Sequence, residues 1–303
     1  MATYTRYKKY QKPGWRLWVW SEKWSDELWH SIRTQVESQH PAKHPQTIEI
    51  RLPGTNQILF LKVFHRFSLW GSLKDFFRMS KAVRGLKVAA TLSDLGFNVA
   101  SAVAAGEQRS QGVLQRSFLL TLSVAGAPLP LFLRQRYGSG MANVPLSVKR
   151  DALRRLAHEI RRLHDLGFVH GDLVPANILV ANAADEECRF FFLDHDRTRR
   201  YPQWVPHFLW KRNLVQLNRF PLPGISLQDR MRFLHSYLGS GEWLERHRRL
   251  IRWLEKKTRQ RRRECDAVDV SGSFRKLMHW DATAVQSPRF QVQGIDSGCD
   301  FER

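Results

Sequence analysis

His170-Gly171-Asp172-Leu173-Val174-Pro175-Ala176-Asn177-Ile178-Leu179-Val180 is the stretch on which the reading of this sequence turns. Asp172 and Asn177 stand five residues apart, and the apolar run Ile178, Leu179 and Val180 that follows predicts a strand. A carboxylate and a carboxamide at that spacing on one loop can face the same cavity. The first can accept a hydroxyl proton while the second offers an oxygen to Mg²⁺. Ala181 to Glu187 reads as a polar turn, and Phe190 to Leu193 as the partner strand. That strand runs into Asp194-His195-Asp196-Arg197, so its carboxylate at Asp194 can approach the same metal.

Upstream, Thr47 to Leu52 and Ile58 to Phe64 flank Pro53-Gly54-Thr55-Asn56, a hairpin pattern. Lys62 lies in the second strand between apolar neighbours. An unpaired Lys in a buried strand is expensive, so it must point outward or meet a phosphate or carboxylate. Phe76 to Leu95 predicts a helix stopped by Gly96, and Val99–Val103 and Val113–Leu122 predict two more strands. Up to about residue 124 the order is that of a small α+β lobe. Beyond it, Ser147 can cap a helix with Leu153, Leu156, Ile160 and Leu163 on one stripe, ended by Gly167.

The loop and the strand that follows resemble the signature of the protein-kinase-like fold, H-x-D-x-x-x-x-N followed by a strand ending in Asp. A narrower resemblance is to the lipopolysaccharide kinases of the Kdo/WaaP group, in HGDL followed by NIL and in Leu193-Asp194-His195-Asp196-Arg197. It continues in Lys211-Arg212-Asn213-Leu214 and in Arg232-Phe233-Leu234-His235-Ser236-Tyr237-Leu238, and covers about residues 45–255. The resemblance implies a two-lobed α+β fold, with a small β-rich N-lobe carrying one helix and a larger, mainly helical C-lobe. It implies ATP-dependent phosphorylation of a sugar hydroxyl, Kdo or heptose, in the lipopolysaccharide inner core. Asp172 would be the catalytic base, Asn177 and Asp194 the Mg²⁺ ligands, and Lys62 the residue holding the ATP phosphates. His170, Asp196 and Arg197 would be supporting residues. Asp196 and Arg197 are expected to pair structurally, with substrate contact as the alternative, and His195 to fill a core position.

The sequence departs from the kinase pattern in three places. No G-x-G-x-x-G precedes Lys62, no A-P-E segment follows Asp194, and the predicted helix over 76–95 has no Glu to pair with Lys62. Gly85 stands near the place where that Glu is expected, and neither Asp75, Asp94 nor Glu107 substitutes for it by position. The missing Gly-rich loop and helix Glu leave open a pseudokinase that binds an anionic membrane or partner, and the missing A-P-E argues against an ordinary protein kinase with a switchable activation loop; a kinase of protein or small soluble substrates using the same four residues is the enzymatic rival.

Composition narrows the partners. The 303 residues hold 49 Lys plus Arg against 28 Asp plus Glu, a net charge of +21. With 43% hydrophobic residues and 11 Trp this is a folding composition rather than a disordered basic tail. Residues 197–263 alone hold 18 basic against 4 acidic residues, whereas 264–303 hold 4 against 7. The reading divides the chain into a Trp-rich extension (1–44), an N-lobe (45–124), a C-lobe with a basic helical end (125–263) and an acidic, loosely ordered tail (264–303). The tryptophans over 13–33 read as core packing, with interfacial anchoring as the alternative. The basic excess points to a phosphorylated glycolipid and to peripheral attachment at an anionic membrane surface. No zinc finger, RNP motif or DNA-reading helix accompanies the charge, which argues against nucleic acid. Met1 to Tyr10 has no apolar signal region, and the most apolar stretch, Ser117 to Leu133, is broken by Gly126, Pro128 and Pro130. That stretch predicts a strand followed by a turn. Cys188, Cys265 and Cys299, far apart and odd in number, suggest a reducing compartment. With the resemblance, the expected location is cytoplasmic, at the inner face of the inner membrane.

Overall fold

The computed structural model describes residues 6–41, 45–52, 54–65, 79–138, 145–182, 188–202, 204, 208–222, 224–239 and 243–268. The chain forms two compact units, one of residues 1–124 with 192–197, the other of residues 125–191 with 198–303.

The first unit is built on a six-stranded antiparallel sheet. Its strands are β1 (Tyr7–Lys12), β2 (Trp15–Trp20), β3 (Gln46–Arg51), β4 (Ile58–His65), β5 (Ala102–Ser110) and β6 (Val113–Leu122). Their order is β1-β2-β5-β6-β4-β3. Residues 7–38, set apart as an extension by the sequence reading, thus supply two strands and helix α1 (Asp26–Ser38) to this unit. Ser25 caps α1 by accepting the Leu28 N–H at 3.1 Å.

Strand periodicity divides the core. Leu59, Leu61 and Val63 turn to one face, where they join Leu17, Val19, Phe118, Leu120 and the α1 residues Leu28, Trp29, Ile32 and Val36. Each fully buried aliphatic side chain there contributes roughly 1.5–3 kcal/mol. Two of the five tryptophans over 13–33 are therefore core, Trp15 meeting Trp29 edge-on at 5.7 Å, while Trp18, Trp20 and Trp24 pack against the core half-buried. Gly106 is required on this face, because a Cβ there would lie 2.2 Å from the Phe118 ring. The opposite face carries Phe64, Ala105 and Leu119 against helix α2 (Lys81–Asp94), through Ala82, Val83, Leu86 and Ala90. Lys62 alternates to this second face, beside Phe64.

Helix α2 begins later than the sequence predicts. Ser80 is its N-cap, accepting the Val83 N–H at 3.2 Å, and the predicted first residues, 76–78, lie outside the described residues. The buried Glu107 carboxylate accepts the Ser80 N–H at 2.8 Å and pairs with Arg109 at 3.1 Å, so Glu107 belongs to the start of α2.

In the second unit, β7 (Ala127–Pro128), β9 (Ile178–Asn182) and β10 (Cys188–Phe192) form a small sheet in the order β10-β9-β7. Within the Ser117–Leu133 stretch, read as a strand followed by a turn, the strand is β6, and beyond β7 the chain enters helix α3 (Leu129–Tyr137). Pro128 precedes it and Pro130 lies in its first turn, where a missing N–H costs nothing. Helix α4 (Leu146–Asp165) starts before Ser147, with Pro145 at its N-cap. Its apolar stripe is buried as the spacing predicts, and α4 packs on α6 (Leu227–Leu238). The strands β8 (Phe168–Val169) and β11 (Arg199–Arg200) pair antiparallel below the His170 loop. Helices α5 (Phe208–Leu217) and α7 (Trp243–Val268) complete the unit. α7 continues five residues past the boundary placed at 263, and the remaining tail, 269–303, lies outside the described residues.

Candidate active site

The functional side chains fall into two groups, one in each unit. The loop from His170 to Asn177 lies in the second unit, between β8 and a single 3₁₀ turn, Pro175–Asn177. Gly171 takes φ +77°, the left-handed region in which a side chain would be strained. The Asn177 Nδ2 donates to the Asp172 carbonyl at 2.9 Å. With its nitrogen committed to the loop's own backbone, the amide oxygen of Asn177 is the atom left for a cation. Asp172 is half-buried, and no hydrogen bond or ion pair engages its carboxylate among the described residues. That leaves the carboxylate available to an incoming hydroxyl.

The loop backbone is fixed by side chains that the sequence reading did not assign. Asn213, fully buried in α5, accepts the His170 N–H at 3.0 Å through Oδ1. Gln216, one turn further, donates to the Gly171 carbonyl at 2.8 Å and accepts the Leu173 N–H at 3.2 Å. The Thr198 hydroxyl donates to the His170 carbonyl at 3.1 Å, and the His170 side chain is buried.

Behind Asn213 stands His164, whose Nε2 lies 3.0 Å from Asn213 Oδ1 and whose Nδ1 lies 2.8 Å from the Tyr237 hydroxyl. Asn213 also donates to Gln216 Oε1 at 2.8 Å, so its Oδ1 must be the acceptor for His164 and His170. This puts a proton on His164 Nε2, and in the neutral ring Nδ1 then accepts from the Tyr237 hydroxyl. Burial lowers its pKa from 6.5 to about 4. The signal in the sequence was Asn213 and Gln216 spaced i,i+3 among Leu214, Val215 and Leu217, a polar pair on an otherwise apolar helix.

In the first unit, Lys62, Asp194 and Asp196 come together. Chain 192–197 joins that unit through a parallel bridge between Val99 and Phe192, with the Phe192 N–H donating to Asn98 O at 3.0 Å. Asp194 has φ +64°, a left-handed conformation that costs most residues ~1–2 kcal/mol and that Asp tolerates better than most. The kink turns its carboxylate onto the Lys62 ammonium, and the Asp196 carboxylate lies 3.2 Å from the same nitrogen. The expected pair of Asp196 with Arg197 is not formed: Asp196 is buried on Lys62 while Arg197 is exposed. Burial first, then the Asp194 charge, raises the Asp196 pKa against the opposing pull of Lys62. His195 is buried, its Nε2 3.0 Å from Phe192 O.

Oxygen donors of this kind suit Mg²⁺, whose preferred ligands are carboxylate and carbonyl oxygens. Among the described residues no cluster of three or more His, Cys, Asp or Glu gathers to hold a metal by itself.

A match to the lipopolysaccharide kinase (Kdo/WaaP) family spans residues 59–237. The chain belongs to this family. The match takes in Lys62, the His170–Asn177 loop, Asp194 and the Asn213–Tyr237 network. Among solved structures, one titled "WaaP in complex with acyl carrier protein" is similar at a TM-score of 0.55 and 22% identity. The likeness covers 78% of this chain and 95% of that one, and supports the kinase-like fold. No curated protein sequence matches. This member of the Kdo/WaaP family is thus a phosphotransferase with a two-lobed, protein-kinase-like fold, a β-rich N-terminal part and a mainly helical C-terminal part.

Proposed function

We propose that this kinase transfers the γ-phosphoryl group of ATP to a sugar hydroxyl, Kdo or heptose, of the lipopolysaccharide inner core. The observation that carries the reading is the family match over 59–237, which contains all four residues the chemistry needs. Asp172, with its free carboxylate, orients the acceptor hydroxyl and takes its proton. Lys62 holds phosphate oxygens. Asn177 Oδ1 and the Asp194 carboxylate are the groups that would hold Mg²⁺, which when bound neutralises phosphate charge. Positioning and charge neutralisation supply most of the acceleration in such reactions. The deciding experiment is mass spectrometry of the lipid A-core from a strain lacking the protein. A core short by one phosphate is expected; an unchanged core, with label from ATP passing instead to protein or to free sugars, rejects the acceptor.

The membrane is the proposed setting. No helix among the described residues is long and apolar enough to cross a bilayer. Helix α7 exposes Arg248, Arg249, Arg252, Lys256, Lys257, Arg259, Arg261 and Arg263, and each basic residue near an anionic surface gains ~1 kcal/mol.

A second observation bears on partners. The second unit holds a cavity of about 510 Å³ lined mainly by Leu and Ile side chains of α3 to α7, together with Arg230 and Arg262. Burial lowers the pKa of both arginines, and the Arg230 charge adds to the effect at Arg262, whose guanidinium donates to the Asn218 and Arg219 carbonyls at 2.8 and 2.9 Å; Asp229 and Glu255 line the same cavity. An apolar chain with an anionic end fits that lining, and the similar WaaP was solved with acyl carrier protein. Native mass spectrometry should therefore show a complex with acylated acyl carrier protein and none with the unacylated form. Equal binding of both, or of neither, excludes the cavity as an acyl site.

A further inference from the structure

Kinase chemistry needs a lysine held in one place, and helix α2 offers Lys62 no carboxylate. A Cβ at Gly85 would press on Leu119 Cδ2 at 3.1 Å and would meet Asp196 Cα at an ordinary contact distance of 3.7 Å, so the 3₁₀ turn His195–Arg197 packs directly beside α2 at this position. Arg84 locks that turn in place, its Nε donating to the Asp196 carbonyl at 3.0 Å. The turn then presents its own carboxylate: Asp196, only 4% exposed, reaches Lys62 at 3.2 Å. Lys62 lies between two carboxylates, of which Asp194 has the left-handed backbone and Asp196 the clamped one.

We propose that Asp196 is the positioning residue for Lys62, taking the place of a helix carboxylate, so that Asp194 can exchange its contact with Lys62 for one with a cation. The proposal rests on the kinase reading of Lys62 and names a division of labour within the Asp-His-Asp segment. Two acids two residues apart are needed because one lysine must stay anchored while one carboxylate changes partner.

The test is a double-mutant cycle read by calorimetric titration of ATP, with and without Mg²⁺. Asp196→Asn should weaken Mg·ATP binding about tenfold, the scale of one charge-assisted contact. In a Lys62→Met background the same substitution should change the affinity less than about twofold, because its effect runs through the lysine. The ratio of affinities with and without Mg²⁺ should survive in Asp196→Asn and collapse in Asp194→Asn. Asp196→Glu should recover part of the loss. Should Asp196→Asn fail to fold, Arg84→Met, which unclamps the turn while leaving the three charged groups of the cluster, should weaken binding in the same lysine-dependent way. An equal loss in both backgrounds, or a lost Mg²⁺ dependence in Asp196→Asn, overturns the assignment. If Lys62→Met weakens binding and Asp196→Asn does not, only the role of Asp196 falls. If Lys62→Met binds Mg·ATP like the wild type, the kinase role of Lys62 falls with it.

Discussion

Asp172→Ala is expected to reduce phosphoryl transfer by a factor of about 10²–10⁴ while leaving ATP affinity and thermal stability near their wild-type values, the range expected for loss of a positioned base. The separation of effects follows from how the loop is held. Asn213, Gln216, Thr198 and Asn177 bond backbone groups of residues 170–173, not the Asp172 carboxylate. Truncation to Ala keeps every one of those bonds, so the loss is chemical. Single-turnover transfer and a melting curve on the same preparation decide the matter. Activity within tenfold of wild type removes Asp172 from the role of base, and a large fall in melting temperature makes it a structural residue.

Acidification should destabilise the fold through His164. Its pKa is 6.5 when unfolded and about 4 in the folded chain, where burial disfavours the imidazolium. Between those values the unfolded state carries a proton that the native state lacks. Stability from this group is therefore complete above pH 6.5 and drains away as the pH falls towards 4, by about 3 kcal/mol in total. Carboxylates and other histidines contribute their own slopes, so the quantity to measure is the difference between wild type and His164→Leu across this window. The variant is expected to start less stable, because Tyr237 and Asn213 each lose a buried partner, and to fall less steeply on acidification. Parallel pH profiles for the two proteins would show that His164 is not the titrating group.

The family was legible because its motifs place particular atoms at short sequence distances. Asp172 and Asn177 belong to one loop, and Asp194 follows the strand that pairs with the next, so local spacing was enough to nominate them. The Lys62 strand was legible too, from the cost of burying an ammonium among apolar residues. The partner of that lysine was not. The kinase pattern puts a Glu on α2, whereas the carboxylates that meet Lys62 are Asp194 and Asp196, 132 and 134 residues away in the chain. The Asp196–Arg197 pair failed for a related reason: adjacency in sequence says nothing of which way each side chain of a tight turn points. The segments around Asn213 and Tyr237 were recognised only by resemblance, and the structure gives them a physical task in supporting the catalytic loop. The tryptophan-rich start was set apart by its composition, yet its strands pair by backbone hydrogen bonds that composition does not encode.

By itself the sequence determined the family and the groups on offer: the Asp172 carboxylate, the Asn177 amide, the Asp194 carboxylate, a strand lysine, and +21 of charge concentrated after the second motif. Tertiary structure alone decided which of these groups are partners. Buried charges and amides must satisfy one another wherever packing brings them, and packing brought Asp196 to Lys62 past a glycine, and Asn213 to His164 and His170 through the interior of a helical unit.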